Sequence, residues 1–206
     1  MKRLSMALAF VLAGCLSVLP DPAPTYRVLD AGAVAPAQGA GLDRVLAVTP
    51  PQGKRLVLDE GIVWRAGDEA AYVKGSQWAG RAQDLLLALM IETATRQQRF
   101  RAVVRAGEAR ADAELRWDLL DFEIVAADGG QSAHFRADVK LVDMASRRVI
   151  AADIVAVETP LASRSASAAS EALARAAREG GARIGVFAAD ALAETEAQES
   201  AASISR

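Results

Sequence analysis

The chain has 206 residues, 52% of them hydrophobic, and a formal net charge of −2. That length and apolar content suffice for one domain with a packed core and exclude a disordered chain, and the near-neutral balance gives no sign of a polybasic nucleic-acid or membrane-surface module. One cysteine precludes an internal disulfide, and one histidine excludes most zinc sites and any two-histidine catalytic arrangement.

Met1-Lys2-Arg3 is a basic start, followed by a short apolar run from Leu4 to Leu12. The run is about half of the ~20 residues that a membrane span requires, so it reads as a secretory signal peptide over residues 1–14. Its end, Leu12-Ala13-Gly14-Cys15, has the form of a bacterial lipobox. Small residues before the cysteine admit the backbone to a peptidase cleft, and the thiolate is the nucleophile for diacylglycerol transfer. The expected mature chain starts at Cys15, carrying diacylglycerol and an N-acyl chain. More than one acyl chain gives stable anchoring. Leu16 and Ser17 follow, with no Asp to resemble an inner-membrane retention signal, which favours the outer membrane.

Residues 15–41 read as the lipidated cysteine and a tether rich in Pro, Ala and Gly, including Pro20, Pro22, Pro24, Gly32, Pro36, Gly39 and Gly41. Tyr26-Arg27-Val28-Leu29 within it is a short edge-strand candidate. The folded domain is expected over residues 42–193. Arg44–Thr49, Gly61–Arg65 and Glu69–Lys74 are strand candidates, the last two forming a hairpin about Ala66-Gly67-Asp68. Gly75-Ser76 breaks the pattern ahead of Gln77-Trp78-Ala79. Leu86, Leu89, Met90, Thr93 and Ala94 then recur at three- and four-residue steps, which predicts an amphipathic helix from about Ala82 to Arg99.

Phe100–Arg105 is a short strand and Ala111–Val125 the longest. Leu115, Trp117 and Leu119 share one parity, and Phe122 and Ile124 the other, so a bulge is expected near Leu120. His134–Val142 alternates, with Phe135, Ala137, Val139 and Leu141 inward. Arg147–Val157 is more continuously apolar and is expected to be more central. A long helix from Ser163 to about Ala193 presents Ala166, Ala169, Leu173, Ala176, Gly180, Ile184, Phe187 and Ala191. Its Gly180-Gly181 marks a close crossing or a kink. Residues 194–206 read as a frayed polar tail. The expected fold is α+β: a single antiparallel or mixed sheet of about five to six strands, with two helices on one face.

No catalytic set emerges. There is no Gly-rich loop ending in Gly-Lys-Ser/Thr. His134 could join Ser132 and Asp138, but it lies on the polar side of a strand with no nucleophile elbow. Asp112, Glu114, Asp118, Asp121 and Glu123 crowd one strand and read as a solvated face rather than paired acids for hydrolysis. Arg147-Arg148 could meet lipid phosphates, though turns carry basic pairs routinely. Gln77 and Trp78 are the candidate partner contacts, with capping of the helix core as the other reading of Trp78. Trp64 and Trp117 read as core.

The lipobox, Tyr26-Arg27-Val28-Leu29, Gln77-Trp78-Ala79 leading into the Leu85–Ile91 helix, and Ala111–Leu115 running to Asp121-Phe122-Glu123 together resemble the ABC-type transport auxiliary lipoprotein family. That family includes the outer-membrane lipoprotein of the paraquat-inducible lipid-transport system. The resemblance spans about Tyr26 to Leu192. It implies a non-enzymatic subunit, with no cofactor beyond the lipid on Cys15, on the periplasmic face of the outer membrane. The implied partners are a mammalian-cell-entry (MCE) domain protein and the inner-membrane ABC permease and ATPase. The implied cargo is phospholipid or another hydrophobic molecule, and some relatives assemble into homo-oligomeric rings. The alternatives are a free-standing lipoprotein holding a hydrophobic ligand between sheet and helices and, with little to support it, a lipid-anchored hydrolase.

Overall fold

A computed structural model of the chain describes residues 23–127 and 130–204. Cys15 and the whole leader lie outside the described residues, as do Asp128 and Gly129 of the turn expected there.

The organising element is a 15-residue strand, β7 (Ala113–Ala127). Its one edge pairs antiparallel with β8 (Gly130–Asp143) along its full length, and β8 pairs antiparallel with β9 (Val149–Pro160). Its other edge is divided among three short parallel strands laid end to end. These are β2 (Leu42–Val48) at Ala113–Leu115, β3 (Gln52–Gly53) at Asp118–Leu119, and β4 (Gly61–Ala66) at Glu123–Ala126. Beyond β2 lies β6 (Phe100–Arg105), parallel. Beyond β4 lies β5 (Glu69–Trp78), antiparallel, and then β1 (Thr25–Arg27), parallel.

Among the described residues the result is one mixed sheet of nine strands with three helices, which corrects the expectation of five to six strands and two helices. The undercount has a physical origin. Eight of the strands overlap candidates read from the sequence, and only the two-residue β3, too short to alternate, and α1 (Arg55–Leu58), a single turn, have no counterpart there; the rest of the undercount is in how many candidates join one sheet. Sharing one long edge among three strands also lets the sheet take in more elements than a simple meander.

Two sequence breaks are resolved as irregularities inside strands. Register slips between Leu119 and Asp121, so Leu120 is an extra residue in β7. The shift turns Phe122 and Ile124 to the same face as Leu115, Trp117 and Leu119, and all five are buried. The expected break at Gly75-Ser76 is likewise a bulge within β5. Val63 pairs with Tyr72 and Gly61 with Gln77, and the strand then continues to Trp78. Gly75 has φ +73°, where only glycine is unstrained.

β9 is an edge strand, not a central one: among the described residues it pairs with β8 alone. Val155 and Val157 are buried, while Val149 and Ile154 are 57% and 58% exposed, so its apolar continuity reflects two differently solvated faces. Pro160, which lacks an N–H, suits such an edge. Arg183 Nη1 donates to Ala156 O at 3.2 Å, and Asp153 Oδ1 accepts from the Ile154 N–H at 2.7 Å. The outer row of backbone groups is thereby partly occupied, a protection against edge-to-edge pairing.

Helix α2 (Ala82–Arg96) buries Leu86, Leu87, Leu89, Met90, Thr93 and Ala94, as its periodicity predicts. It ends earlier than expected because Gln98 takes φ +57°, leaving the helical region. Helix α3 (Ala166–Ile204) has 39 residues, roughly 58 Å at 1.5 Å per residue. It runs through the segment expected to fray. Alanine and glutamate favour helix there, and Glu196 reaches Arg44 of β2 at 2.6 Å. Among the described residues no helix is long and apolar enough to cross a membrane.

The two long helices share one face of the sheet. A Cβ on Gly180 would lie 2.3 Å from the Phe135 ring, one on Gly181 3.0 Å from Leu89, and one on Gly185 2.0 Å from Gln97. The glycines therefore mark a close crossing of α3 over β8 and α2. Trp78 stacks on Phe122 at 5.6 Å, and Phe122 meets Phe135 edge-on at 6.4 Å. This aromatic line joins β5, β7 and β8 directly beneath Gly180.

Residues 23–41, expected as a tether, are strapped to the helical layer. Leu29 and Ala31 are buried. Asp30 is paired with Arg178 at 2.7 Å, Arg96 donates to Gly32 O at 2.5 Å, and the Ala37 N–H donates to Gln97 O at 3.0 Å. Arg99, 5% exposed, donates to Gln38 O and Ala40 O and meets Asp190 of α3 at 3.2 Å.

Candidate contact surfaces

The sheet's open face carries charge. Arg136 meets Asp121 at 2.6 Å and Lys140 meets Asp138 at 2.7 Å. Arg116 meets Glu114 and Arg65 meets Glu123, each at 2.6 Å. Asp121 and Glu123 of β7 are thus paired across strands and Glu114 within β7, while on β8 the hydrogen bond to Asp138 is the chief cause that raises the Lys140 pKa above its ordinary value. Trp117 turns inward and its indole N–H donates to Thr49 O at 2.8 Å, while Trp64 is half-buried against the core.

Ser132 Oγ lies 2.8 Å from His134 Nε2, and His134 Nδ1 lies 3.7 Å from Glu158. The connectivity is that of a Ser-His-Glu set, with Glu158 in the place the sequence offered to Asp138. However, Ser132 is the third residue of β8, paired with Val125 of β7 and with Pro160 of β9, and not on the sharp strand-to-helix turn that exposes a serine nucleophile. Arg148 O accepts from the Asp143 N–H in the β8–β9 turn, and Arg147 has φ +58°. Both arginines sit at the tip of an exposed turn.

Gln77 and Trp78 are adjacent in β5 but differently placed. Trp78 is 1% exposed, so its ring belongs to the core and offers no surface to a partner. Gln77, half-buried, pairs with Gly61 and Tyr26 and borders a cleft of about 240 Å³ with Pro24 and Tyr72. Of the two candidate contacts, Gln77 alone reaches the surface.

Two further concavities were not legible in the sequence. One is an open, largely apolar groove of about 560 Å³ where α3 passes the strap, lined by Ala35, Ala37, Ala182, Val186 and Phe187, with Gln97, Glu179 and Arg183 as its polar groups. The other is a cleft of about 430 Å³ between β1 and the start of α3, lined by Arg27, Arg175, Arg178 and Glu171. Both join residues about 140 positions apart, and only the packed strap brings them together.

No curated protein matches the chain. A solved Xanthomonas campestris protein, XCC0632, is 24% identical over 85% of this chain and 97% of its own, with a TM-score of 0.72. A second, uncharacterised protein is 14% identical over 81% of this chain and 99% of its own, with a TM-score of 0.64. The hypothetical protein CT253 of Chlamydia trachomatis is 11% identical over 71% of this chain and 98% of its own, with a TM-score of 0.50. These likenesses establish a shared fold. Residues 26–185, from the first strand into the close crossing of α3, match the family described as the ABC-type transport auxiliary lipoprotein component, and the chain belongs to that family.

Proposed function

We propose that this chain is a lipid-anchored accessory subunit of an MCE-type ABC transport system. It stands on the periplasmic face of the outer membrane and acts by protein contact while phospholipid or another hydrophobic molecule crosses the envelope. The observation that carries the reading is the family match over residues 26–185, downstream of the Leu12–Cys15 lipobox. The packing supports it. The layer between sheet and helices is filled by Trp78, Phe122, Phe135, Leu86 and Leu115, all nearly or wholly buried, so contact surfaces are what the domain offers. Acyl burial at ~0.8 kcal/mol per methylene holds the N-terminus at the bilayer. The implied partners are the MCE-domain protein, the permease and the ATPase, with a homo-oligomeric ring as the implied assembly.

The test is Cys15→Ala in cells. The variant is expected to fold, to leave the membrane fraction and to lose transport. A variant that still fractionates with the outer membrane contradicts the anchor.

The groove beside Phe187 favours a second reading, direct binding of a hydrophobic ligand. Saturable uptake of a fluorescent fatty acid, abolished by Ala182→Arg, would establish it; uptake unaltered by Ala182→Arg would dismiss it.

A further inference from the structure

The overall charge of −2 conceals a local arrangement at the end of the molecule where the anchor enters. Thr25, the first residue of β1, is ten residues from Cys15. A fully extended chain of that length spans at most ~35 Å, so β1 cannot stray far from a bilayer that holds Cys15. On β1 and just after it, Tyr26 and Val28 are 62% and 69% exposed, the two most exposed large apolar side chains of the described residues. Beside them opens the cleft of about 430 Å³ whose cations come from the strap and α3: Arg27, Arg175 and Arg178.

The groups facing these cations are few. Arg27 donates to Ser76 and Ser167 at 3.2 and 3.4 Å, both neutral. Arg178 is paired with Asp30. Glu171 accepts from Ser167 at 2.8 Å. Arg175 is exposed and, among the described residues, donates to Pro160 O at 3.5 Å. The cleft thus keeps a cationic excess with an aromatic and a branched aliphatic side chain at its rim. That is the composition of an interfacial contact, in which amphipathic rings sit at headgroup level and basic groups meet lipid phosphates.

We infer that the β1–α3 cleft, with Tyr26, Val28 and Arg175, is the face this domain lays on the anionic phospholipid surface to which Cys15 tethers it. The inference rests on the anchored reading above. It gives the domain an orientation. β9 runs from Val149 to Pro160, and Pro160 touches Arg175, so Val149 lies ~36 Å further along the strand. That far end, with β6 and the close of α3, is turned away from the bilayer toward any partner. A short tether gives a local concentration in the millimolar range, so weak intrinsic affinity suffices.

The experiment uses the chain from residue 15 onward with Cys15→Ala, which keeps every described residue and removes the only cysteine. A single fluorophore is placed at Val28→Cys or at Val149→Cys. Each protein is mixed with several millimolar phosphatidylethanolamine/phosphatidylglycerol vesicles that carry a quenching lipid. The expected result is quenching at residue 28 at least threefold greater than at residue 149. The difference should collapse without phosphatidylglycerol and fall at least about fivefold on Arg175→Glu, since losing one basic group at an anionic surface already costs about that much and the added carboxylate is repelled. Equal quenching at both positions, or a difference indifferent to phosphatidylglycerol and to Arg175→Glu, overturns the inference. Failure of the wild-type chain to reach the membrane fraction in cells would count against the Cys15 anchor alone, since these vesicles report on the face without it.

Discussion

Gly180→Ala tests the packing logic of the fold. In an exposed helix this change stabilises by up to ~1 kcal/mol. Here the added Cβ would lie 2.3 and 2.4 Å from two carbons of the Phe135 ring, distances that real contacts do not show. Phe135 cannot swing aside. It is 1% exposed, held edge-on by Phe122, and Phe122 is backed by Trp78. The helix must lift, and overpacking of this kind costs about 1–3 kcal/mol. The expected net loss is ~1–2 kcal/mol, or about 2–8 °C in Tm for a domain of this size. Thermal and urea unfolding followed by circular dichroism measure it. Phe135→Leu in the Gly180→Ala background should return part of the loss, a coupling that a double-mutant cycle reads directly. A Gly180→Ala protein as stable as the parent, or more stable, refutes the close-crossing account.

Arg99→Ala should cost about 2–4 kcal/mol, because it leaves two strap carbonyls and Asp190 without their buried cationic partner. Hydrogen exchange should then rise selectively across residues 37–41, and Arg99→Lys should restore little of the protection. Trp78→Ala should destabilise by about 3–5 kcal/mol through the cavity it leaves, whereas Gln77→Ala should leave stability unchanged within about 0.5 kcal/mol. Unfolding curves of the pair separate core from surface. Asp143 is held below its ordinary pKa of 3.8, first by the Ser146 hydroxyl and then by the Ser146 N–H. A depressed carboxylate contributes stability that is complete above the unfolded value and is lost as pH falls through the folded one. Carboxyl NMR titration should show Asp143 moving up toward 3.8 in Ser146→Ala, and stability between pH 4 and the depressed value should become less pH-dependent.

What could be read from the sequence was what repeats over several turns or pleats. The buried faces of α2 and α3 follow the helical step, and the slip at Leu120 is visible because five large residues change parity around it. A two-residue strand and a single helical turn have no such signal, so β3 and α1 went unseen. The edge position of β9 was hidden because an apolar run does not distinguish burial by neighbouring strands from partial exposure of Val149 and Ile154. The strap reads as a linker by composition. What fixes it are Arg96, Arg99 and Arg178, far along the chain, and composition holds no record of such pairings. Of the candidate site, Cys15 is legible as a motif but lies outside the described residues. Gln77 and Trp78 read as one unit, yet adjacent strand residues point to opposite faces, and this parity sends one to the core and the other to the surface.

On the function proposed above, this domain works by touching the components of a transporter. The most direct measurement is cross-linking of the wild-type, membrane-anchored chain in intact cells, followed by capture and mass spectrometry. The expected capture is an MCE-domain protein, accompanied by a permease and an ATPase, and their loss in Cys15→Ala. Recovery of the chain without any transport component, from cells in which the transporter is present, would contradict it.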